Sequence, residues 1–273
     1  SGLIENNGGT ISGALTIERY VPQVGNGHHY LSTPMSNSLL SELSDDFIFN
    51  LSGAYPNLYY YSEPSSSWVT PSSAGDAMVL GKGYTGYFSG DVIVDISGIP
   101  NSGATNVALT SDVDGWNFAG NPYPSPIDWD LVTFPSGVSP ALYVWDHDPA
   151  VWGRYTTYID GIGTNGGGNV LPMMQSFFIK ANNAATLTFQ NNERITDPTI
   201  RGDFYKNSKA GIDPLIRLQV SGFGFQTESV VRFKAGATAD YDPTLDALLF
   251  PSGNPLAIDF ASVSHDSNHL VIN

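Results

Sequence analysis

Apolar residues in this chain come in short runs that glycine, proline, asparagine or serine interrupt before a helical face can form. Such runs fall at 14–20, 47–50, 58–61, 92–96, 116–119, 142–145, 176–180, 186–189, 215–220, 229–233 and 270–272. Runs of this length between turn residues predict strands of a sandwich or barrel. Helical spacing is scarce. It predicts one short helix at 36–43, where Leu39, Leu40 and Leu43 share a face, and another after Asp242-Pro243, with Leu245, Leu248 and Leu249. The pattern as a whole predicts an all-β protein.

The runs also repeat. His28-His29-Tyr30-Leu31-Ser32-Thr33-Pro34-Met35 precedes Leu58-Tyr59-Tyr60-Tyr61, then Trp68-Val69, then Gly81-Lys82-Gly83-Tyr84. In the same order, Gly115-Trp116-Asn117-Phe118-Ala119-Gly120-Asn121-Pro122-Tyr123 precedes Leu142-Tyr143-Val144-Trp145, then Trp152-Gly153-Arg154-Tyr155, then Gln175-Ser176-Phe177-Phe178. From Tyr30 to Trp116, Leu58 to Leu142 and Gly83 to Ser176 the offsets are 86, 84 and 93, as expected of one duplicated unit with loop insertions. The predicted organisation is a leading strand segment at 1–20, then a duplicated sandwich-like β domain at 21–200 with repeat units at 21–110 and 111–200. A polar boundary at 196–213 leads into a second, jelly-roll-like β-sandwich at 201–273. That domain is expected to be cut off at Asn273, which predicts an exposed sheet edge at 270–272.

Composition narrows the function classes. Lys+Arg number 11 against Asp+Glu 26, a formal charge of −15, which repels phosphate backbones and anionic lipid, so nucleic acid and membrane surface are poor partners. The absence of cysteine removes disulfides, thiol nucleophiles and sulfur-ligated zinc, and fits an exported bacterial protein. No apolar run reaches the roughly 18 residues of a membrane span. The start, Ser1-Gly2-Leu3-Ile4-Glu5, lacks both Met and a basic n-region, which points to a processed chain or a fragment of a longer one.

The stretch Gly115-Trp116-Asn117-Phe118-Ala119-Gly120-Asn121-Pro122-Tyr123-Pro124-Ser125-Pro126-Ile127-Asp128-Trp129 resembles a segment of large secreted and cell-surface proteins of the Bacteroidetes, which commonly end in a type IX secretion sorting domain. The flanking Ile11-Ser12-Gly13-Ala14-Leu15-Thr16-Ile17-Glu18-Arg19-Tyr20, Leu142-Tyr143-Val144-Trp145-Asp146, Gln175-Ser176-Phe177-Phe178-Ile179-Lys180 and Phe189-Gln190-Asn191-Asn192-Glu193-Arg194 agree with it. The resemblance implies an exported, multi-modular, β-rich surface protein. It implies little chemistry.

The densest candidate constellation joins Asp128, Trp129, Asp130, Tyr143, Trp145, Asp146, His147, Asp148, Trp152, Tyr155, Tyr158 and Asp160. In a strand Tyr143 and Trp145 point to one face, so two large rings can lie side by side. Rings beside carboxylates suit polysaccharide binding, since pyranose C–H faces pack on aromatic surfaces while acids accept hydroxyl hydrogen bonds. The expected contacts are Tyr143, Trp145, Trp152, Tyr155, Asp128 and Asp146. The competing reading puts the tryptophans in the core and the acids on solvated loops. Asp146-His147-Asp148 and Asp112-Val113-Asp114-Gly115 each space oxygens closely enough for a structural Ca2+, with turn formation as the alternative.

Enzyme signatures are weak. A glycoside hydrolase pair can be drawn only from Asp128, Asp146 and Asp160, whose separation no sequence gives. His28-His29, and His265 with His269, lack the glutamate and helix of a zinc protease motif, and no Gly-x-Ser-x-Gly elbow occurs. Gly81-Lys82-Gly83-Tyr84-Thr85-Gly86 matches a nucleotide-loop spacing, but a strand follows it rather than a helix N-terminus. Arg201-Gly202-Asp203 reads as a linker turn, and 163–169 as a flexible loop. The expected function is therefore non-catalytic: an extracellular or cell-surface module for adhesion or polysaccharide binding, within a larger chain or beside neighbouring subunits. Its competitors are a structural spacer or self-assembling filament subunit, and a glycan-active hydrolase.

Overall fold

A computed structural model describes residues 13–22, 27–47, 49–147, 153–196, 213–253 and 257–273. The fold is all-β, and helical structure among these residues is confined to single 3-10 turns. The helix expected at 36–43 is such a turn at Leu40–Leu43, with both leucines buried while Leu39 is 41% exposed. The one expected after Asp242-Pro243 is a tight turn, closed by the amides of Leu245 and Asp246 on the Asp242 carbonyl. Three leucines without a following amphipathic stretch cannot offset the cost of helix nucleation.

The described residues gather into two compact units. The first comprises 13–22, 27–47, 49–138 and 170–196. One of its sheets runs β1 (Leu15–Val21), β7 (Val92–Pro100), β3 (Met35–Ser36). A second runs β2 (His28–Leu31), β6 (Tyr84–Tyr87), β4 (Leu58–Ser62), β5 (Ser67–Val69). Three antiparallel pairs join them: β8 (Thr105–Leu109) with β16 (Ala185–Phe189), β9 (Trp116–Gly120) with β15 (Ser176–Lys180), and β10 (Ile127–Asp128) with β14 (Val170–Leu171). Alternation places their faces: on β1 Ile17 and Val21 are buried while Thr16, Glu18 and Tyr20 look outward. Leu31, Met35, Leu58, Tyr84, Val94 and Ile96 are among the core residues.

The second unit comprises 139–147, 153–169, 213–253 and 257–273. A meander of β11 (Leu142–Asp146), β12 (Arg154–Ile159) and β13 (Ile162–Thr164) accompanies a sheet ordered β17 (Leu215–Gly222), β18 (Phe225–Arg232), β21 (His269–Ile272), β19 (Ala247–Leu248), with β20 (Ser262–Val263) also on β21. The unit is discontinuous in sequence, where a boundary near 200 was expected. Side chains explain why the meander belongs with the C-terminal strands. The Arg154 guanidinium donates to the Gln226 carbonyl at 2.9 Å, the Asn165 amide to Glu228 Oε1 at 2.6 Å and Arg232 Nη1 to Asp160 Oδ2 at 2.9 Å.

Strand β21 corrects the expected open edge at 270–272. It pairs with β19 on one side and with β18 and β20 on the other, and Leu270 and Ile272 are fully buried. The strand that ends the sheet order is β17, with Ile216 47% and Leu218 45% exposed.

The repeated order of apolar runs is matched by repeated pairing. In each repeat the first strand pairs with the last, β2 with β6 and β9 with β15, and the second with the third, β4 with β5 and β11 with β12. Tyr30 faces Thr85 and Phe118 faces Phe178, so Tyr30 corresponds to Phe118, two residues beyond the Trp116 expected from spacing. A shift of two keeps every side chain on its face.

Candidate functional site

One recess lies in the first unit and belongs mostly to the first repeat. It is a groove of about 410 Å³, lined by the end of β4 with the following turn (60–64), the loop 79–82, residues 106–109 of β8 with the adjoining Thr110, and 117–119 of β9. The loop 79–82 comes close because Gly81 adopts φ +76°, and a Cβ there would stand 2.3 Å from Val107 Cγ2. The approach lets Lys82 bridge to Ala119 and lays its ammonium on the Tyr60 ring, 3.3 Å from the centroid. The Tyr60 hydroxyl has no hydrogen-bond partner among the described residues. Tyr61 is anchored, its hydroxyl 3.0 Å from Ser66 Oγ and 3.4 Å from Asp114 Oδ2. Trp68, 42% exposed, packs edge-on to Tyr61, Phe118 and Phe178.

Glu63 is the acid of the groove, and its charge is already satisfied. It is 3% exposed, and its oxygens accept the backbone amides of Asp112, Val113, Asp114 and Gly115 at 2.9, 2.8, 3.1 and 2.9 Å. Burial alone would push its pKa up, but the amides of 112, 113 and 115 and the Thr110 hydroxyl outweigh it and hold the carboxyl at about 2. Successive amides converging on one anion form a nest.

That nest reassigns the loop proposed for Ca2+. Asp114 accepts from Ser66 Oγ at 2.9 Å and from the Trp116 amide at 3.0 Å, its carbonyl accepts the Lys180 ammonium, and Asp112 is exposed. A loop that presents amides to an anion and carries a lysine on its carbonyl is a poor cation receptor.

The aromatic constellation is largely interior, which corrects the expected pair of exposed rings. Tyr143 is 1% exposed, burial pushes its phenol well up, and its ring lies 6.0 Å from that of Phe250. Tyr155, half-buried, sits between Trp145 at 5.0 Å and Phe250 at 4.6 Å. Tyr143 and Trp145 do share a face, but the C-terminal part of the chain covers it. A cavity beside Tyr155 and Phe250 holds about 30 Å³, room for a water or two and no sugar. Asp146 is 5% exposed and pairs with Arg154 at 3.3 Å. Asp128 accepts from the Asp130 amide at 3.1 Å and starts the 3-10 turn that buries Trp129, while Asp160 is held by Arg232 and Lys234. Asp148, Trp152 and Arg201-Gly202-Asp203 lie outside the described residues.

Among the described residues the acids able to share an ion are Asp45, Asp46 and Asp95, with oxygens within 4.8 Å of one another, and no histidine joins such a group. Asp46 accepts the Asp95 amide at 3.3 Å. Burial, aided by the neighbouring Asp95 and Asp45 charges, raises its pKa to about 7. Folded Asp46 therefore keeps a proton that the unfolded chain has released above about pH 4, and the stability this represents is lost as pH rises through 7. Thermal melts should show Asp46→Asn raising Tm at pH 8 and leaving it unchanged at pH 4; a pH-independent shift would rule out titration of this acid.

The sequence profile of a family described as Domain of unknown function (DUF8693) matches residues 1–273. The chain belongs to that family. No curated protein and no solved structure matches it. The family's description carries no chemistry, so the groove itself supplies the functional argument. Sequence reasoning placed the site in the second repeat, took Tyr60 only as part of a repeated strand and weighed Lys82 only within a rejected nucleotide-loop spacing. The signal for Lys82 was present: a lysine between two glycines, Gly81-Lys82-Gly83, in a chain with 11 basic residues.

Proposed function

We propose that the chain is a non-catalytic, extracellular or cell-surface module that binds a polysaccharide along the groove of the first repeat. The observation that carries this reading is the groove itself: the half-buried Tyr60 ring, a hydroxyl without a partner and a lysine converge on one recess of about 410 Å³. That combination of ring, hydroxyl and amine matches what sugars offer, C–H faces and oxygen acceptors. Hydrolysis finds less support, because the acid lining the groove is Glu63, whose carboxyl near pKa 2 is a poor proton donor at neutral pH. A surface setting accords with the lack of cysteine and with the resemblance to exported Bacteroidetes proteins.

A glycan-array screen followed by titration calorimetry tests the reading. Tyr60→Ala should weaken binding about tenfold, the size expected for losing one ring contact near 1.4 kcal/mol, while a folded Trp145→Ala retains it. Binding lost in Trp145→Ala and kept in Tyr60→Ala would move the site to the second repeat. Silence of the intact protein across the array would end the glycan reading.

A further inference from the structure

Lys82 differs from every other lysine and arginine among the described residues. Each of the others donates to a carboxylate, amide, hydroxyl or carbonyl oxygen of the chain. The Lys82 ammonium has no such oxygen among the described residues: it lies 3.3 Å from the Tyr60 centroid and 5.8 Å from that of Tyr84, with no ion pair. A chain with 26 acids and 11 Lys and Arg has ample carboxylate to spend on this cation. The acid in the groove, Glu63, is committed instead to the amides of 112–115. Desolvation costs a half-buried ammonium, and ring faces offset only part of that cost. Consistent with this, burial lowers the Lys82 pKa.

Two donors thus line the groove without acceptors among the described residues, the Lys82 ammonium and the Tyr60 hydroxyl. We propose, resting on the glycan-binding reading above, that the polysaccharide is acidic and that the groove seats a uronate carboxylate between Lys82 Nζ and Tyr60 Oη. A planar, singly charged group with two oxygens matches one ammonium and one hydroxyl. A sulfate or phosphate ester would bring a third oxygen, for which the groove offers no guanidinium, and the adjacent nest of amides is filled by Glu63. The overall charge of −15 makes the seat selective, since acidic chains are repelled wherever a cation does not meet them.

The experiment titrates the intact protein with three hexasaccharides: an α-linked galacturonate, the same oligomer with its carboxyls reduced to hydroxymethyl, and a sulfated neutral oligomer of equal length. The galacturonate should bind at least tenfold more tightly than the reduced form, and 500 mM NaCl should remove most of that preference. Lys82→Gln should abolish the preference for the galacturonate over the reduced oligomer, and Tyr60→Phe, which keeps the ring, should reduce it in part. Thermal melts of both variants confirm folding. Equal binding of acidic and reduced oligomers, with Tyr60→Ala weakening both, would overturn the carboxylate seat and leave the glycan reading standing. Tighter binding of the sulfated oligomer would overturn it in favour of an ester anion. Binding of none of the three would overturn the seat, and the array result then decides the reading beneath it.

Discussion

Replacing Asn121 with alanine should cost about 3–4 kcal/mol of folding stability, seen as a lower urea midpoint at unchanged m-value. The side chain is completely buried, and its amide donates to the carbonyls of Ser125, Leu171 and Pro172 at 2.9, 3.3 and 3.0 Å while its oxygen accepts the Tyr123 amide at 2.9 Å. One residue thus completes the backbone of a proline-rich turn that cannot complete itself. Pro122, Pro124 and Pro126 contribute no N–H, so strand pairing is closed to that stretch. Around it, the Tyr123 hydroxyl donates to the Gly103 carbonyl at 2.6 Å and Arg194 Nε to Ser125 Oγ at 2.8 Å. Asn121→Asp should be as damaging, since a carboxylate turns three donated bonds into repulsion with carbonyls. A loss below about 1 kcal/mol in Asn121→Ala would mean that water replaces the amide, and the turn would not depend on it.

Glu63→Ala should cost about as much, roughly 3–4 kcal/mol, because four backbone amides lose one shared acceptor. Glu63→Gln keeps the shape and one acceptor oxygen, and should cost about 1–2 kcal/mol. The pH dependence has a definite sign. The folded carboxyl near 2 lies below its ordinary value of 4.5, so its contribution is complete above pH 4.5 and is lost as pH falls from there to 2. Urea melts at pH 6 and pH 3 should therefore show the native protein losing more stability on acidification than Glu63→Gln. Equal losses would show that the carboxylate charge does not hold the loop. Gly115 marks the same loop as intolerant: at φ +74° a Cβ would stand 2.0 Å from the Ala181 carbonyl oxygen.

The all-β class and most strands were legible, because alternation and turn residues act locally. The order of the repeated apolar runs was legible, but spacing set Tyr30 against Trp116, whereas pairing of Tyr30 with Thr85 and of Phe118 with Phe178 sets Tyr30 against Phe118. What the sequence hid was long-range cover. Tyr143 and Tyr155 look like a sugar platform until Phe250, about a hundred residues away, packs on both. The same blindness made 270–272 an open edge, although β21 is paired on both sides. Lys82 was hidden for the opposite reason, since its significance is the lack of an acid around it, and pattern reading finds groups that are present. The stretch from Gly115 to Trp129 that carried the resemblance is explained by Asn121, Tyr123 and Trp129 as architecture rather than chemistry.

The carboxylate among the amides of 112–115 bears on how the molecule meets its medium. Convergent amides are how many loops capture free sulfate or phosphate, and here a residue fixed between β4 and β5 occupies that position from within. The loop arrives with its counter-anion built in, so exchanging chloride for phosphate in the buffer leaves its conformation indifferent.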